Sequence, residues 1–244
     1  MRMRLCLLLV LLALAAQREA LAGEGLVIDP AQTHVDITTN FAGAQVVLYG
    51  LKPGAGPVAV VISGPRHPVT VRRKEPLLGA WLNRSAVTFE DVPTFYDYAV
   101  SPGLSAQDLA GAGIGVTALP LRVSYKNVGQ EDVAAFRQAL IERSQQRGLY
   151  PAEARAIVPL TDRFFKAVFD LPPNVPVGDY HLEAHYYDYG EVAEKKVAAL
   201  RVAQVGMSAR IHAFAVKDSL LYGIFCVTLG LFAGWISNRI RSRN

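Results

Sequence analysis

Cysteine is nearly absent from this chain, which has 244 residues and only two cysteines, Cys6 and Cys226. Cys6 lies in the first apolar run and Cys226 in the last, so the stretch 23–212 has none. This stretch therefore has no disulfide, no thiol nucleophile and no cysteine-based metal site. Its stability has to come from its own hydrophobic core, and about 190 residues are enough for one domain of ordinary size.

An excess of charge of either sign is also missing once the two ends are set aside. The chain has 25 Lys and Arg against 21 Asp and Glu. The end segments hold seven of the basic and two of the acidic residues: Arg2, Arg4, Arg18, Lys217, Arg239, Arg241, Arg243, Glu19 and Asp218. Between 23 and 212 this leaves 18 basic and 19 acidic residues. A nearly neutral body lacks the excess of basic residues that is typical of nucleic-acid-binding proteins, so we expect no nucleic-acid partner.

Catalytic motifs are missing as well. No G-x-S-x-G elbow is present, and the carboxylates form no recognisable pair. Gly111, Gly113 and Gly115 alternate, which differs from the G-x-G-x-x-G spacing of a dinucleotide site. The sequence therefore predicts a protein that is not an enzyme and has no cofactor.

A long uncharged run stands near the C-terminus. Ser219–Ile236 contains eighteen residues without a charge, and Tyr222 and Trp235 lie near its two ends. At about 1.5 Å per residue, such a helix just crosses a hydrocarbon core of roughly 30 Å. Aromatic residues at the ends are typical of membrane interfaces. We therefore predict a transmembrane helix over 213–237 and a basic tail at 238–244.

The N-terminus has the pattern of a secretory signal peptide. Two arginines precede the apolar run Leu5–Ala16, and Ala20-Leu21-Ala22 follows as a small-x-small cleavage site. The alternative is a first membrane helix, but twelve residues are too short to span. A signal peptide at 1–22 and a basic C-terminal tail place the body, 23–212, in the periplasm and the C-terminus in the cytoplasm of an inner-membrane protein.

The body has the pattern of a mainly β domain. Strand-like segments follow at short intervals: Val35–Tyr49, Pro57–Ser63, Val69–Lys74, Ser85–Phe89, Phe95–Val100, Arg163–Leu171, Tyr180–Tyr187 and Val192–Val202. Between them, a helical excursion is expected over about 104–155. It begins with a short helix at Ser105–Leu109 and contains a longer one at Glu131–Arg147, followed by Gly148. The whole predicts an antiparallel immunoglobulin-like β-sandwich, in which the Tyr180 hydroxyl caps a corner.

Polar side chains alternate along one predicted strand. His181, Glu183 and His185 point to the same face and are a plausible set for zinc or copper. However, His181 and His185 are four residues apart, about 13 Å along a strand, which is too far for one ion. The alternative is a solvated polar face, and we assign no metal.

Two further candidate sites are surfaces. One is an anion or partner patch made of Arg72, Arg73, Lys74, Trp81 and Tyr96, for which the alternative is a charged edge strand that resists pairing with other chains. The other is a face of the membrane helix. Gly223, Gly230 and Gly234 fall within about 40° of one another at 100° per residue. Small residues on one face allow close helix packing in lipid, although glycine is also simply common in such helices.

Several short motifs occur in an order that is similar to that of a known family. They are Arg72-Arg73-Lys74, Gly79-Ala80-Trp81, Val92-Pro93-Thr94-Phe95-Tyr96, Phe136-Arg137-Gln138-Ala139-Leu140-Ile141, Gly148-Leu149-Tyr150, Phe164-Phe165 and Val175-Pro176-Val177-Gly178-Asp179-Tyr180. With one C-terminal span, this resembles the uncharacterised alphaproteobacterial transmembrane protein family. The resemblance implies an exported, anchored protein and a transport partner of the sulfite-exporter type, and it supplies no catalytic residues.

Two functions are therefore expected from different classes. The first is a membrane-anchored periplasmic accessory protein that associates with an inner-membrane permease, or with a second copy of itself, through the glycine face. The second is a periplasmic module that binds a small anion or a metal ion, at the arginine patch or on the face of His181, Glu183 and His185.

Overall fold

The computed structural model describes residues 25–77, 80–126, 130–206 and 214–241. Thirteen strands form three sheets in this part of the chain. Their bounds are β1 Val27–Pro30, β2 His34–Ile37, β3 Ala44–Leu51, β4 Val58–Ser63, β5 Arg66–Leu77, β6 Ala80–Pro93, β7 Tyr96–Val100, β8 Arg122–Lys126, β9 Arg155–Ala156, β10 Val158–Pro159, β11 Phe164–Leu171, β12 Gly178–Asp188 and β13 Glu191–Gln204. The helices are α1 Ala106–Gly111, α2 Gln130–Gln146 and α3 Ser219–Arg241, with a short helical stretch at 214–217.

The order of the strands confirms a mainly β fold with antiparallel sheets. The first sheet has the order β1-β3-β11-β10, the second β2-β13-β12-β4-β7-β9 and the third β5-β6-β8. The short pair of β7 and β9 is parallel, whereas the other pairs whose register is described are antiparallel. The immunoglobulin-like arrangement of the strands stays a prediction.

Burial shows that both faces of the second sheet are covered at its strand β4. All six residues of β4 are buried, which is the burial expected from its wholly apolar sequence. On β12, Tyr180, Leu182 and Ala184 are fully buried on one face, whereas the alternate side chains are covered to different degrees. Each fully buried aliphatic side chain of this core contributes roughly 1.5–3 kcal/mol.

The hairpin of β12 and β13 has the turn and the corner that its sequence indicates. Tyr189 and Gly190 both have positive φ, 49° and 84°, as a two-residue hairpin turn requires. At the other end of β12, the Tyr180 hydroxyl donates to the Pro176 carbonyl at 2.7 Å. The predicted corner hydrogen bond is therefore confirmed.

The excursion contains both predicted helices and a strand that was not predicted. Ser105 caps α1 in a reciprocal capping box with Asp108. Helix α2 buries Phe136, Leu140 and Ile141, so its predicted apolar face is confirmed. Between the two helices, β8 pairs with β6 to extend the long β5–β6 hairpin into the third sheet.

The chain divides into two compact units. Among the described residues, the first unit comprises 25–35 and 42–202, and the second comprises 36–41, 203–206 and 214–241. Within the second unit, Ser219–Ile236 has a mean hydropathy of 1.9 and none of it is buried. This is the one helix in the described part of the chain that is long and apolar enough to cross a membrane. The predicted signal peptide 1–22 and the residues around the predicted boundary at 212 lie outside the described residues.

Candidate functional site

A polar cavity of 200 Å³ lies on the face of the second sheet that carries Glu183. Strands β4, β7, β12 and β13 form one wall of this cavity, and the segment 112–120 forms the opposite wall. Its polar lining side chains are Ser63, Arg66, Tyr96, Glu183, His185 and Lys195. Five of these six residues lie on strands of the second sheet. The sixth, Arg66, is the first residue of β5 in the third sheet.

Glu183 is held by two neighbouring side chains. Lys195 Nζ lies 2.7 Å from Glu183 Oε2, and His185 Nε2 lies 3.5 Å from the same oxygen. The hydrogen bond from His185, supported by that from Lys195, outweighs partial burial and lowers the pKa of Glu183 to about 2. Glu183 is therefore ionised at neutral pH, and one of its oxygens contacts both His185 and Lys195.

Burial increases along the polar face of β12. His181 is exposed, Glu183 is partly buried and His185 is only 6% exposed. The Nδ1 atom of His185 is buried and has no hydrogen-bond partner among the described residues. The polar face of β12 is thus solvated only at its His181 end, and it enters the cavity at the other end.

Tyr96 forms part of the same cavity. It is 3% exposed, and its hydroxyl accepts a hydrogen bond from the backbone N–H of Gly115 at 2.9 Å. Burial raises the pKa of Tyr96 far above its usual value. The phenol is therefore neutral, and it still has its own proton to donate.

The geometry of these groups fits neither a metal centre nor a serine triad. Across the ranges that the structure describes, no group of three His, Cys, Asp or Glu side chains could hold a metal ion. Ser63 pairs with His181, and His185 pairs with Ala59. Ser63 and His185 are thus four residues apart along the sheet, about 13 Å, and cannot form a nucleophile–base pair.

The structure does not bring the five residues of the predicted basic patch together. Arg72 and Lys74 are exposed on one face of β5, whereas the Arg73 guanidinium lies over the ring of Phe136, 4.8 Å from its centroid. Tyr96 is buried in the cavity instead of lying beside the arginines. The side chain of Trp81 lies outside the described residues, and its backbone on β6 pairs with Pro76.

These positions leave Arg72 and Lys74 as the exposed cations of the predicted patch. β5 is an edge strand of the third sheet. Exposed charges on an edge strand are what the alternative interpretation requires, since they hinder pairing with another chain.

The predicted glycine face lies on one continuous helix, α3. Outside adjoining residues and the helix backbone, no described heavy atom lies within 4 Å of a Cβ built at Gly223, Gly230 or Gly234. An apolar groove of 350 Å³ runs beside Gly223 and is lined by Val227 and Leu231 among others. The face is therefore open to a neighbouring helix.

The chain matches the model of a known protein family over most of its length. The model of the family described as "Putative transmembrane protein (Alph_Pro_TM)" matches residues 25–243. The chain belongs to this family. The match takes in both the β-rich body and the apolar C-terminal helix, and it confirms the resemblance that the motifs indicated. The family membership and the one long apolar helix among the described residues indicate a single-pass membrane protein.

Comparisons with other proteins add little. No curated protein matches the chain. One similar chain belongs to a structure described as "Structural basis of T cell specificity and activation by the bacterial superantigen toxic shock syndrome toxin-1". Its TM-score is 0.28 and its identity 5%, and the match covers 74% of this chain and 100% of that one. Another is a family 123 glycoside hydrolase from Clostridium perfringens, with a TM-score of 0.24, 8% identity, and coverage of 75% of this chain and 28% of that one. Neither carries a functional inference.

Proposed function

We propose that this protein is a membrane-anchored accessory protein that associates with an inner-membrane transport protein and does not itself catalyse a reaction. In this proposal a cleaved signal peptide exports the body to the periplasm. The C-terminal helix then crosses the inner membrane once and ends in the cytoplasm.

The observation that carries the proposal is the exposure of the apolar and glycine residues of helix α3. Its apolar run is unburied along its whole length, and it combines an anchor with an open glycine face. Lipid tails are as apolar as leucine, so helices associate in a membrane through close packing at small residues. A helix that served only as an anchor would need no such face.

The ends of the helix support the proposed orientation. Arg239 lies 5.7 Å from the centroid of the Trp235 ring. An aromatic ring and a cation at one end are typical of the boundary between membrane and water. Arg241 and Arg243 follow in the sequence, and an excess of arginine favours the cytoplasmic side.

The body supports a role without catalysis. Ser63, Glu183 and His185 are the chemical types of a hydrolase triad, but the register of β4 and β12 keeps the serine away from the histidine. Tyr96 is a buried neutral phenol that receives a backbone hydrogen bond. These groups are suited to binding and to structural support.

We predict that the double substitution Gly230→Leu and Gly234→Leu reduces capture of the transport partner at least about tenfold. Two leucine side chains on the small-residue face prevent the close approach on which helix packing in lipid depends. The measurement is affinity purification of the full-length protein in mild detergent, followed by quantitative mass spectrometry of the captured proteins.

The control is Phe225→Leu with Phe232→Leu, on the opposite side of the same helix by the 100° spacing. This variant should still capture the partner. Equal capture by both double variants would refute the role of the glycine face. Capture of nothing except a second copy of the chain would replace the transport partner by a homodimer.

A further inference from the structure

We propose that the cavity between the second sheet and the segment 112–120 binds a small oxyanion. This assignment goes beyond the anchoring role, and it holds whichever membrane protein helix α3 contacts.

The charges around the cavity favour an anion. Arg66 and Lys195 are exposed cations, and Glu183 is the single carboxylate in the lining. Glu183 is already neutralised by its contact of 2.7 Å with Lys195. Arg66 therefore leaves the lining with a net positive charge, and charge-assisted hydrogen bonds from such cations are the strong contacts by which proteins hold oxyanions.

The hydrogen-bonding groups are arranged to suit this charge. Both Lys195 and His185 direct a nitrogen to Glu183 Oε2, so the carboxylate orients these two side chains along the cavity wall. The Tyr96 hydroxyl accepts from Gly115 and keeps its own proton as a donor. The donors Lys195, His185 and Tyr96 thus stand on strands of one sheet, which favours the preorganisation that a binding site needs.

His185 is the observation that most directly indicates a ligand. Its side chain is more than nine-tenths buried, it lines the cavity, and its Nδ1 has no partner among the described residues. A buried polar nitrogen without a partner is costly. An oxyanion oxygen would accept from Nδ1 in the imidazolium form, and a hydroxyl on the same ligand would donate to it in the neutral form.

Size and shape limit the ligand to a small one. The volume of 200 Å³ is below the range of about 300–1,000 Å³ that is typical of sites for drug-sized molecules. The lining extends along the sheet from Ser63 at one end to His185 at the other, with Arg66 following Ser63 and Lys195 opposite His185. The chemistry therefore fits either an inorganic oxyanion at one end or a short dicarboxylate that reaches both.

The test is calorimetric titration of the full-length protein in an uncharged detergent, with chloride as the reference anion at constant ionic strength. Inorganic phosphate, sulfate and succinate are the three probes. We expect saturable binding of at least one of them. Lys195→Gln or Arg66→Gln should weaken that binding at least about tenfold, as expected for the loss of one charge-assisted contact. A short dicarboxylate should respond to both substitutions, and an inorganic oxyanion to one.

Lys196→Gln is the matched control. It removes the same charge from the next residue of β13, whose side chain points to the other face of the sheet. This variant should bind like the unchanged protein. Circular dichroism of each variant identifies any loss of fold, and Arg66→Gln keeps the pair of Glu183 and Lys195 intact. The proposal is wrong if no probe shows saturable binding, or if Lys196→Gln weakens binding as much as Lys195→Gln does.

Discussion

Replacing Arg155 by methionine is expected to destabilise the body by about 3 kcal/mol, because it leaves a buried carboxylate without its partner. Arg155 Nε lies 2.6 Å from Asp97 Oδ2, and Arg155 Nη1 lies 2.7 Å from Asp170 Oδ2. The Asp97 side chain is only 4% exposed. Asp97 belongs to the second sheet and Asp170 to the first, so this one guanidinium connects the two sheets.

The pKa values of the two carboxyl groups agree with this role. Burial raises the pKa of Asp97, and the hydrogen bond from Arg155 works against that shift. The pKa of Asp170 is lowered, first by a hydrogen bond from Gln45 and then by Arg155. Without Arg155, Asp97 would have to be buried either as an unpaired charge or as a protonated acid, and each state costs free energy.

Thermal unfolding followed by circular dichroism measures this effect. For a domain of this size, about 3 kcal/mol corresponds to a decrease in Tm of roughly 6–12 °C. The control is the double variant Arg155→Met with Asp97→Asn, which removes the charge as well as its partner and should recover much of the lost stability. A single variant with the Tm of the unchanged protein would show that solvent, and not Arg155, satisfies Asp97.

Gly50→Ala is the second substitution with a large expected effect, and we expect it to cost about 3 kcal/mol through overpacking. Gly50 on β3 pairs directly with Phe165 on β11. A Cβ added at Gly50 would lie 2.2 Å from Phe165 Cζ and 2.5 Å from Cε1. Phe165 is only 2% exposed, so its ring cannot move aside into solvent.

Gly111→Ala is the matched control for this prediction. Outside the adjoining residues and the helix backbone, no described heavy atom lies within 4 Å of a Cβ built at Gly111, which ends α1. Its Tm should change by less than about 3 °C, within the range of ordinary surface substitutions. The reverse ranking of the two glycine variants would contradict the packing described for β3 and β11. Adding Phe165→Leu to Gly50→Ala should restore part of the stability, because it removes the ring that clashes.

The fold class and several of the strands and helices could be predicted from local sequence patterns. Continuous apolar residues identified β4, the 3/4 spacing identified α2, and the turn at Tyr189 and Gly190 identified the last hairpin. The third sheet was not predicted. β8 is short, with Val123 38% exposed, so it lacks the strong apolar signal of a core strand. Its existence depends on β6, a distant strand that continues well beyond the predicted segment Ser85–Phe89.

The candidate site was predicted only in part, and a β-bulge explains why. The alternation of β12 placed Glu183 and His185 on one face. Lys195 was missed, because simple hairpin pairing from Asp188 and Glu191 would set Glu194 opposite His185. The register shifts by one residue between Tyr186 and Tyr187, and this shift brings Lys195 opposite His185. A bulge of this kind has no clear sequence signal.

The basic patch was predicted from neighbouring residues that the structure does not bring together. Arg72, Arg73 and Lys74 are adjacent in the sequence, but successive side chains of a strand point to opposite faces. Arg73 packs on Phe136 of α2, whereas its two neighbours are exposed. The three neighbouring cations therefore do not form one basic surface.

The single-pass topology is the premise of the proposed function, and cysteine labelling tests it most directly. With Cys226 replaced by alanine, one cysteine is introduced either at Val27, which is 53% exposed in the body, or at Ser242 in the basic tail. A membrane-impermeant maleimide is then added to intact bacterial spheroplasts and to lysed ones. We predict that the Val27→Cys protein is labelled in intact spheroplasts and the Ser242→Cys protein only after lysis. Labelling of the tail in intact spheroplasts, or protection of the body, would contradict the account.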